Sequence, residues 1–403
     1  MTDQQPQTEA DASAASTAAP TTAAAPTAPS TASTTAPTAS TSTAPTADPS
    51  TPIAAVAAAQ SPVESESEPE LVPDVPGPIE PDADGVSIDG YSTTDDSQAS
   101  LRPTILDYRR ENGRTYHRLS DGKYILPNDD LEQERLDIVN HVWMVTLDNR
   151  FCMCPKNEGA KRVLDLGTGT GIWALDYADA FPDAEVIGVD LSPIQPGYVP
   201  PNCMFEIDDV EKEWTWTKPF DFILARNMIG CFSDWEAAIE QAYNHLEPGG
   251  WMEIQDSEWP AVCDDGSMTE DMAIYKYTTM GAEACEEIGR TISKTHTFDR
   301  LMREAGFEDV VKIPLKFPIS PWPKDRRLKE IGLWTQASLL PGLEGLALAN
   351  FTRTLGWTRE ETLVLCAQTR RDIQNPKIHA YWNGYVIYGR KPLKADKKED
   401  AQH

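Results

Sequence analysis

The chain has 403 residues and a formal net charge of −29 at pH 7. This excess of acid argues against direct binding to nucleic acid, because phosphate contacts need clustered lysine and arginine. The sequence also contains no apolar run long enough to span a bilayer and no secretory signal, so we expect no membrane partner and a cytoplasmic location, a nuclear one, or both.

Seven cysteines are scattered through the chain, and none forms a C-x-x-C pair. An odd number without paired spacing is typical of reduced thiols in an intracellular protein. Cys152 and Cys154 stand in the sequence CMC, which is too tight for the usual zinc spacing. We therefore predict no metal site.

The first hundred residues differ from the rest in composition. They contain fifteen Asp and Glu, no Lys or Arg, and no aromatic residue before Tyr91. A segment rich in Ala, Thr, Pro and Ser cannot bury enough apolar surface to offset the entropy of ordering. We predict a disordered acidic tail over residues 1–95, one folded domain over 96–392 and a disordered end over 393–403.

The first elements of the domain are predicted ahead of a glycine-rich stretch. Residues 114–126 alternate around Asp121-Gly122, which indicates a hairpin or an extended segment. Residues 127–149 begin with Asn and Asp, which cap helices, and then carry apolar side chains at helical spacing. They predict an amphipathic helix.

Strands and helices then alternate along the chain. Five short apolar runs predict strands, namely RVLDLG, AEVIGVDLS, CMFEIDD, FDFILARN and WMEIQD. Helices are predicted for GIWALDYADAF and WEAAIEQAYNHL. This order is typical of parallel β-α-β units, so we predict an α/β fold with a Rossmann-like, doubly wound sheet and helices on both faces.

The last third is predicted to be mostly helical, with additions at about residues 265–300 and 325–372. Two more strands are predicted for FEDVVKIPLKFPI and IHAYWNGYVIYGRK. Helices inserted after the fifth strand would lie over a bound cofactor, exclude water and provide acceptor specificity.

A glycine-rich turn follows the first strand of the sheet, in VLDLGTGTGIWAL. Bare backbone N–H groups at the start of a helix can bind the polar end of a cofactor. Gly167, Gly169 and Gly171 have the spacing G-x-G-x-G. A dinucleotide site needs G-x-G-x-x-G, and its third place falls on Ile172. Asp165 would repel a diphosphate but suits an ammonium group, so the turn favours S-adenosylmethionine over NAD(P).

Other cofactor contacts are predicted where the next strands end, because ligands of such sheets bind beyond the carboxyl ends of the strands. Asp190 closes the second strand and can accept hydrogen bonds from both ribose hydroxyls. Asp209, followed by Val210, can meet the adenine, with Asp208 as the alternative register. The fourth strand would place Arg226 and Asn227 beneath the cofactor. The full set of predicted cofactor contacts is Asp165, Gly167, Thr168, Gly169, Thr170, Gly171, Asp190, Leu191, Asp208, Asp209, Val210, Arg226 and Asn227.

The chain resembles class I S-adenosylmethionine-dependent methyltransferases in four successive motifs, VLDLGTGTGIWA, VIGVDLSP, FEIDDVEKEW and HLEPGGWMEIQD. It further resembles the fungal LaeA-like methyltransferases in YILPNDDLEQERLDIVNHVW, DLSPIQPGYVPPNCMFEIDDVEKEWTW and YWNGYVIYGRKP. The resemblance covers roughly residues 107–392. It implies a seven-stranded sheet whose last strand is antiparallel, S-adenosylmethionine as cofactor, and a link to the control of secondary metabolism, for some members in complexes with velvet-type regulators.

The methyl acceptor is not identified by the sequence. A general base is needed only if the acceptor must lose a proton, so no catalytic residue is assigned. The candidates for an acceptor pocket are Tyr124, His141, Trp143 and Asp256. Three functions are compatible with the residues: methyl transfer to a secondary metabolite or to a protein in secondary-metabolism control, a regulatory subunit acting mainly through a protein complex, and an NAD(P)-dependent oxidoreductase.

Overall fold

The computed structural model describes residues 108–120 and 122–393. The predicted tail over residues 1–95 and nearly all of the predicted C-terminal end lie outside this range. The strands are β1 Arg109–Glu111, β2 Arg114–Tyr116, β3 Arg162–Leu166, β4 Glu185–Asp190, β5 Cys203–Ile207, β6 Phe220–Arg226, β7 Leu246–Val262, β8 Glu308–Pro318 and β9 Tyr381–Arg390. The helices are α1 Asp130–Thr146, α2 Ile172–Ala180, α3 Trp235–His245, α4 Ala273–Glu287, α5 Phe298–Glu304, α6 Arg326–Arg353 and α7 Arg359–Ile373.

Strands β3 to β9 form one seven-stranded sheet in the order β5-β4-β3-β6-β7-β9-β8. The strands from β5 to β7 in this order are parallel, and β9 lies antiparallel between β7 and β8. Every residue of β3 and β6 is buried, as expected for strands covered by helices on both faces. The seven-stranded sheet with an antiparallel last strand is therefore confirmed.

The order in which strands are added to the sheet reverses at β3, because β4 lies on one side of β3 and β6 lies on the other. A crevice forms at such a point, beyond the carboxyl ends of the strands. The glycine-rich turn follows β3 directly. The fold thus places that turn where open α/β sheets bind their ligands.

Helix α1 begins inside the predicted range. Asp129 caps it, because its side chain accepts the Glu132 backbone N–H. Arg114 of β2 donates two hydrogen bonds to the Asp129 carboxylate, at 2.5 and 2.6 Å. This pair fixes the N-terminal hairpin against the start of the helix.

The hairpin lies nearer the N-terminus than the sequence analysis placed it. Strands β1 and β2 pair around Asn112-Gly113, and both of these residues have positive φ. Asn and Gly tolerate that conformation best, so the Asn-Gly pair forms the turn. The segment around Gly122 forms a turn and no strand among the described residues, since the Lys123 N–H donates to the Ser120 carbonyl at 3.1 Å.

Helices α4, α6 and α7 pack with α1 and the ends of β7 to β9 around a second hydrophobic core. Residues of α4 and α6 line cavities beside the crevice, whereas the crevice is lined by residues up to Cys231. The added helices therefore shape the space next to the predicted cofactor position. Within the described part of the chain, no helix combines the length and the apolar character needed to cross a membrane.

Candidate active site

A cleft of about 1140 Å³, part of it open to solvent, lies where β3, β4 and β6 end. We call it the glycine-turn cleft. Its lining contains twelve of the thirteen residues predicted to bind cofactor, namely Asp165, Gly167, Thr168, Gly169, Thr170, Asp190, Leu191, Asp208, Asp209, Val210, Arg226 and Asn227. Residues from separate strand ends thus converge on one space.

Gly171 is the exception, since it supports the turn without lining the cleft. Its φ is +83°, and a Cβ at this position would lie 2.4 Å from the Phe205 ring. Its N–H donates to the Thr168 carbonyl at 2.9 Å, and it directly precedes α2. A larger residue would therefore strain both the backbone and its packing against β5.

Asp190 connects the turn to the end of β4. Its Oδ2 accepts the Gly169 N–H and its Oδ1 accepts the Ser192 N–H, both at 2.9 Å. Burial raises the pKa of this carboxyl to about 6, and the backbone hydrogen bonds oppose the rise. A half-buried acceptor held in this way is suited to hydroxyl donors.

Asp165 lies beneath the turn at the end of β3. The Thr168 hydroxyl donates to its Oδ2 at 2.6 Å. Burial raises the pKa of Asp165 to about 7, so a cation placed in the cleft would favour its ionised form.

The charges that line the glycine-turn cleft distinguish between the two cofactor classes. The acidic residues are Asp165, Asp190, Asp208, Asp209 and Glu211, and the basic ones are Lys123 and Arg226. The Lys123 ammonium lies 2.7 Å from Asp209 Oδ2, and the Arg226 guanidinium donates to Gln255 and Asn140 at 2.7 and 2.6 Å. Both cations are thus engaged. The lining fits a cationic ligand and does not fit a diphosphate.

Residues 117–120 and 122–128, which we call the wall segment, contribute Lys123, Tyr124, Pro127 and Asn128 to one side of the cleft. Ser120 and Lys123 both donate to the Asp209 carboxylate, at 2.6 and 2.7 Å, and Asp209 is buried. These bonds hold the pKa of Asp209 below its usual value, against the desolvation that burial imposes. The neighbouring Asp208 is exposed. The alternative register, with Asp208 facing the adenine, therefore suits the structure better.

A second space, of about 890 Å³, adjoins the first. We call it the aromatic cavity, and its lining includes Trp143, Trp259, Phe317 and Trp382. Three of the four predicted acceptor-pocket residues line it, namely Tyr124, Trp143 and Asp256.

Asn227 stands between the two spaces and lines both. Its φ is +55°, a left-handed conformation that is uncommon outside glycine. The Trp143 indole N–H donates to its Oδ1 at 2.8 Å, and its own N–H donates to the Gln255 carbonyl at 3.0 Å. The surrounding contacts therefore hold Asn227 in this conformation at the boundary.

Asp256 is a buried acid at the edge of the aromatic cavity. Its Oδ2 accepts the Ile229 N–H at 2.7 Å, and its Oδ1 accepts the Ser257 N–H at 2.9 Å. Burial raises the pKa of Asp256 to about 7. A carboxyl with that pKa can take a proton from a ligand near neutral pH.

His141 is the one predicted acceptor-pocket residue that the structure places away from the aromatic cavity. Its side chain is exposed, contacts Trp334 edge to face with ring centroids 4.4 Å apart, and lines neither space. The sequence analysis also missed cavity residues from distant segments, among them Trp259, Thr335 and Trp382. Only the resemblance to the motif YWNGYVIYGRKP pointed to the segment that contains Trp382.

One group of possible metal ligands lies outside both spaces. The ligand atoms of Cys152, Cys154 and Glu253 lie within 4.8 Å of one another. The Glu253 carboxylate accepts the backbone N–H groups of Met153 and Cys154 at 2.8 to 2.9 Å, and burial raises the pKa of both thiols. Hydrogen bonding accounts for the buried carboxylate, and we assign no metal to the group.

Known proteins match most of this chain. A family model described as a methyltransferase domain matches residues 141–312. Methyltransferase pytC of Aspergillus terreus is 41% identical over 318 residues, which are 79% of this chain and 97% of that protein. The secondary metabolism regulator LAE1 of Cochliobolus heterostrophus is 35% identical over 289 residues, 70% of this chain and 94% of that protein. The protein-methionine methyltransferase laeA of Emericella nidulans is 32% identical over 289 residues, 71% of this chain and 77% of that protein.

Proposed function

We propose that this chain, which belongs to the S-adenosylmethionine-dependent methyltransferases related to pytC and laeA, methylates a small molecule of secondary metabolism in the aromatic cavity. One observation carries the proposal: Tyr124, Leu136 and Asn227 line both the glycine-turn cleft and the aromatic cavity. Ligands in the two spaces would therefore meet at a shared boundary. Nothing in the family or in the charges of the cleft favours an oxidoreductase.

The residues of the glycine-turn cleft fit the cofactor. Asp165 would pair with its ammonium group, Asp190 would accept from its ribose, and Asp208 would face its adenine. The bound cofactor supplies an already activated methyl group, so much of the acceleration can come from holding the acceptor in line with it. Asp256 would take the proton of an acceptor hydroxyl as the acceptor oxygen bonds to the methyl carbon and the old carbon–sulfur bond breaks, its electron pair staying on sulfur.

Labelled methyl transfer tests this function directly. The full chain would be incubated with S-adenosylmethionine carrying a labelled methyl group and a metabolite extract of its source organism. We expect label in the low-mass organic fraction. Label confined to protein would overturn the choice of a small acceptor, and no binding of the methyl donor by calorimetry would overturn the function as a whole.

Affinity for S-adenosylmethionine should depend on pH through Asp165. Its pKa of about 7 means that the ionised form, which pairs with the ammonium, is lost as the pH falls through neutrality. We expect the dissociation constant to increase by up to tenfold per unit below about pH 7, with proton release on binding. Calorimetry in buffers of different ionisation enthalpy measures both effects.

Asp165→Asn is the control for this effect, because its Oδ1 can still accept from Thr168 while the titrating group is gone. The variant should bind more weakly and lose the component of the pH dependence that the wild type owes to Asp165. Identical pH profiles for the variant and the wild type would contradict the assignment.

Release of the demethylated product should be limited by the wall segment. Lys123→Ala removes the 2.7 Å contact that ties this segment to Asp209. We expect roughly fivefold faster release of S-adenosylhomocysteine in stopped-flow displacement. Lys212→Ala is a matched control, because its ammonium lies 3.8 Å from the same carboxylate and Lys212 lies outside the wall segment. Equal release rates for the two variants would argue against this role.

A protein acceptor inside a regulatory complex is the second candidate function. The names of two relatives favour it, since LAE1 is called a secondary metabolism regulator and the Emericella nidulans protein a protein-methionine methyltransferase. For this chain the partner would be a velvet-type regulator. Pull-down from a native extract, with methyl-transfer assays on the same preparation, separates the candidates: turnover of a small acceptor by the isolated chain would exclude a purely regulatory role.

A further inference from the structure

Two buried polar atoms of the aromatic cavity have no hydrogen-bond partner. They are the indole Nε1 of Trp382 and the hydroxyl of Thr335, and both residues line the cavity. The two residues are only 7% and 6% exposed. Buried donors normally have a hydrogen-bond partner. Two donors without one in the same cavity therefore point to a ligand that accepts their hydrogen bonds.

Several comparable side chains of the described residues are paired, whereas Trp235 and Thr369 are not. The indole N–H groups of Trp143 and Trp322 donate to Asn227 and to the Ala380 carbonyl, at 2.8 and 3.0 Å. The helical threonines Thr146 and Thr352 donate to the carbonyl four residues earlier, at 2.7 Å. Thr335 lies within α6 and makes no such bond. The cavity therefore presents polar groups that the fold itself leaves unused.

The charged groups that line the aromatic cavity are already engaged. The Arg135 guanidinium donates two hydrogen bonds to Glu132, at 2.9 and 2.7 Å. Both Asp256 oxygens accept backbone N–H groups. The Arg135 cation is thus paired within the protein, so an anionic ligand would lose its hydration without gaining a free ion-pair partner. The remaining walls are largely apolar and include Trp259 and Trp382 in a stacked pair, with centroids 5.4 Å apart.

A third space of about 580 Å³, the inner cavity, continues from the aromatic cavity. The two share Tyr124, Leu126, Ile229, Trp259 and Leu346. Asn350 lines the inner cavity, is 3% exposed, and donates through its amide nitrogen to Gly281, while its Oδ1 has no partner. The inner end thus offers an acceptor, whereas the Trp382 end offers a donor.

We propose, on the premise of the function given above, that the acceptor is an uncharged, largely apolar small molecule whose oxygen atom accepts a hydrogen bond from the Trp382 indole N–H. Thr335 assists at the same end, and a hydroxyl or N–H of the molecule reaches Asn350. Trp382 and Thr335 are then specificity-determining residues of the acceptor site.

An acetylnaphthol, which is neutral and carries both a ketone and a hydroxyl, is the probe, and naphthoate is its anionic counterpart. Calorimetry on the full chain saturated with S-adenosylhomocysteine measures both. We expect the acetylnaphthol to bind, naphthoate to bind at least about tenfold more weakly, and Trp382→Phe to weaken the acetylnaphthol by roughly tenfold. Thr335→Val should weaken it by a smaller factor.

Matched controls exist for both variants. Trp235 and Thr369 are also buried with an unpaired indole N–H and an unpaired hydroxyl, yet neither lines the glycine-turn cleft, the aromatic cavity or the inner cavity. Trp235→Phe and Thr369→Val should leave probe binding unchanged. Thermal unfolding checks that each variant is folded. If Trp382→Phe does not fold, Thr335→Val tests the proposal in its place.

The outcomes separate this inference from the proposed function. Three results would overturn the inference in a protein that still binds S-adenosylhomocysteine. They are equal losses of probe affinity in the cavity variants and their controls, equal affinities for naphthoate and the acetylnaphthol, and no binding of the acetylnaphthol. Methylation of a methionine-containing peptide without acetylnaphthol binding would overturn it in favour of a protein acceptor. Failure to bind S-adenosylhomocysteine would instead overturn the proposed function.

Discussion

Replacement of Asp190 by alanine should weaken S-adenosylmethionine binding by roughly 100-fold, equivalent to ~3 kcal/mol. The variant loses the acceptor proposed for the ribose hydroxyls. It also loses the two 2.9 Å bonds that tie the Gly169 and Ser192 backbones to the end of β4. Isothermal titration measures the loss, and thermal unfolding confirms that the variant is folded.

Asp179→Ala is the matched control for this experiment. Asp179 is an exposed acid on α2, and it does not line the glycine-turn cleft. Its replacement removes the same charge from the same region of the molecule, so the affinity of this variant should equal that of the wild type. A folded Asp190→Ala protein with wild-type affinity would contradict the proposed contact between the ribose and this carboxylate.

Replacement of Asp256 by asparagine should lower the turnover of a hydroxyl acceptor by about 100-fold, the lower end of what general bases contribute. The pKa of about 7 fixes the sign of the pH effect. Below that value the carboxyl holds its proton and cannot accept another, so the wild-type rate should rise with pH through neutrality and then level off. Burial and the nearby Asp256 carboxyl raise the pKa of the Cys231 thiol well above its usual value, so this thiol does not titrate across neutrality.

The pH profile distinguishes proton transfer from a structural effect. The Asp256→Asn profile should be flat across neutrality, and thermal unfolding reports separately whether this variant is folded. Glu270→Gln, at an exposed acid outside the cavities, should keep the wild-type profile. An Asp256→Asn rate that still rises through neutral pH would place the base elsewhere, and an unchanged rate would indicate an acceptor that loses no proton.

The strands and the glycine-turn cleft could be predicted from the sequence because their signals are local. A buried parallel strand is a short apolar run, and the residue that follows it must lie at the carboxyl edge of the sheet. Asp165 and Asp190 were placed at this edge in this way, without any knowledge of tertiary contacts, and both line the cleft. Their placement followed from strand order alone.

Contacts between distant segments were beyond such reasoning. Asp209 was chosen over Asp208 for the adenine, yet Ser120 and Lys123, almost ninety positions earlier, occupy its carboxylate. His141 was chosen because it lies beside the apolar stripe of α1, but the neighbouring α6 provides Trp334 on that exposed side. Helical periodicity gives the direction of a side chain, and it does not give the element that the side chain meets.

The two cavities beside the glycine-turn cleft, unlike the cleft itself, also take lining residues from the last third of the chain, and this difference bears on how such enzymes diversify. The lining of the glycine-turn cleft ends at Cys231, whereas α4, α6 and β9 add ten residues to the aromatic and inner cavities. Substitutions in α4, α6 and β9 can alter which acceptor fits while the residues of the glycine-turn cleft stay unchanged. A duplicated gene could therefore acquire a new product without first sacrificing its cofactor.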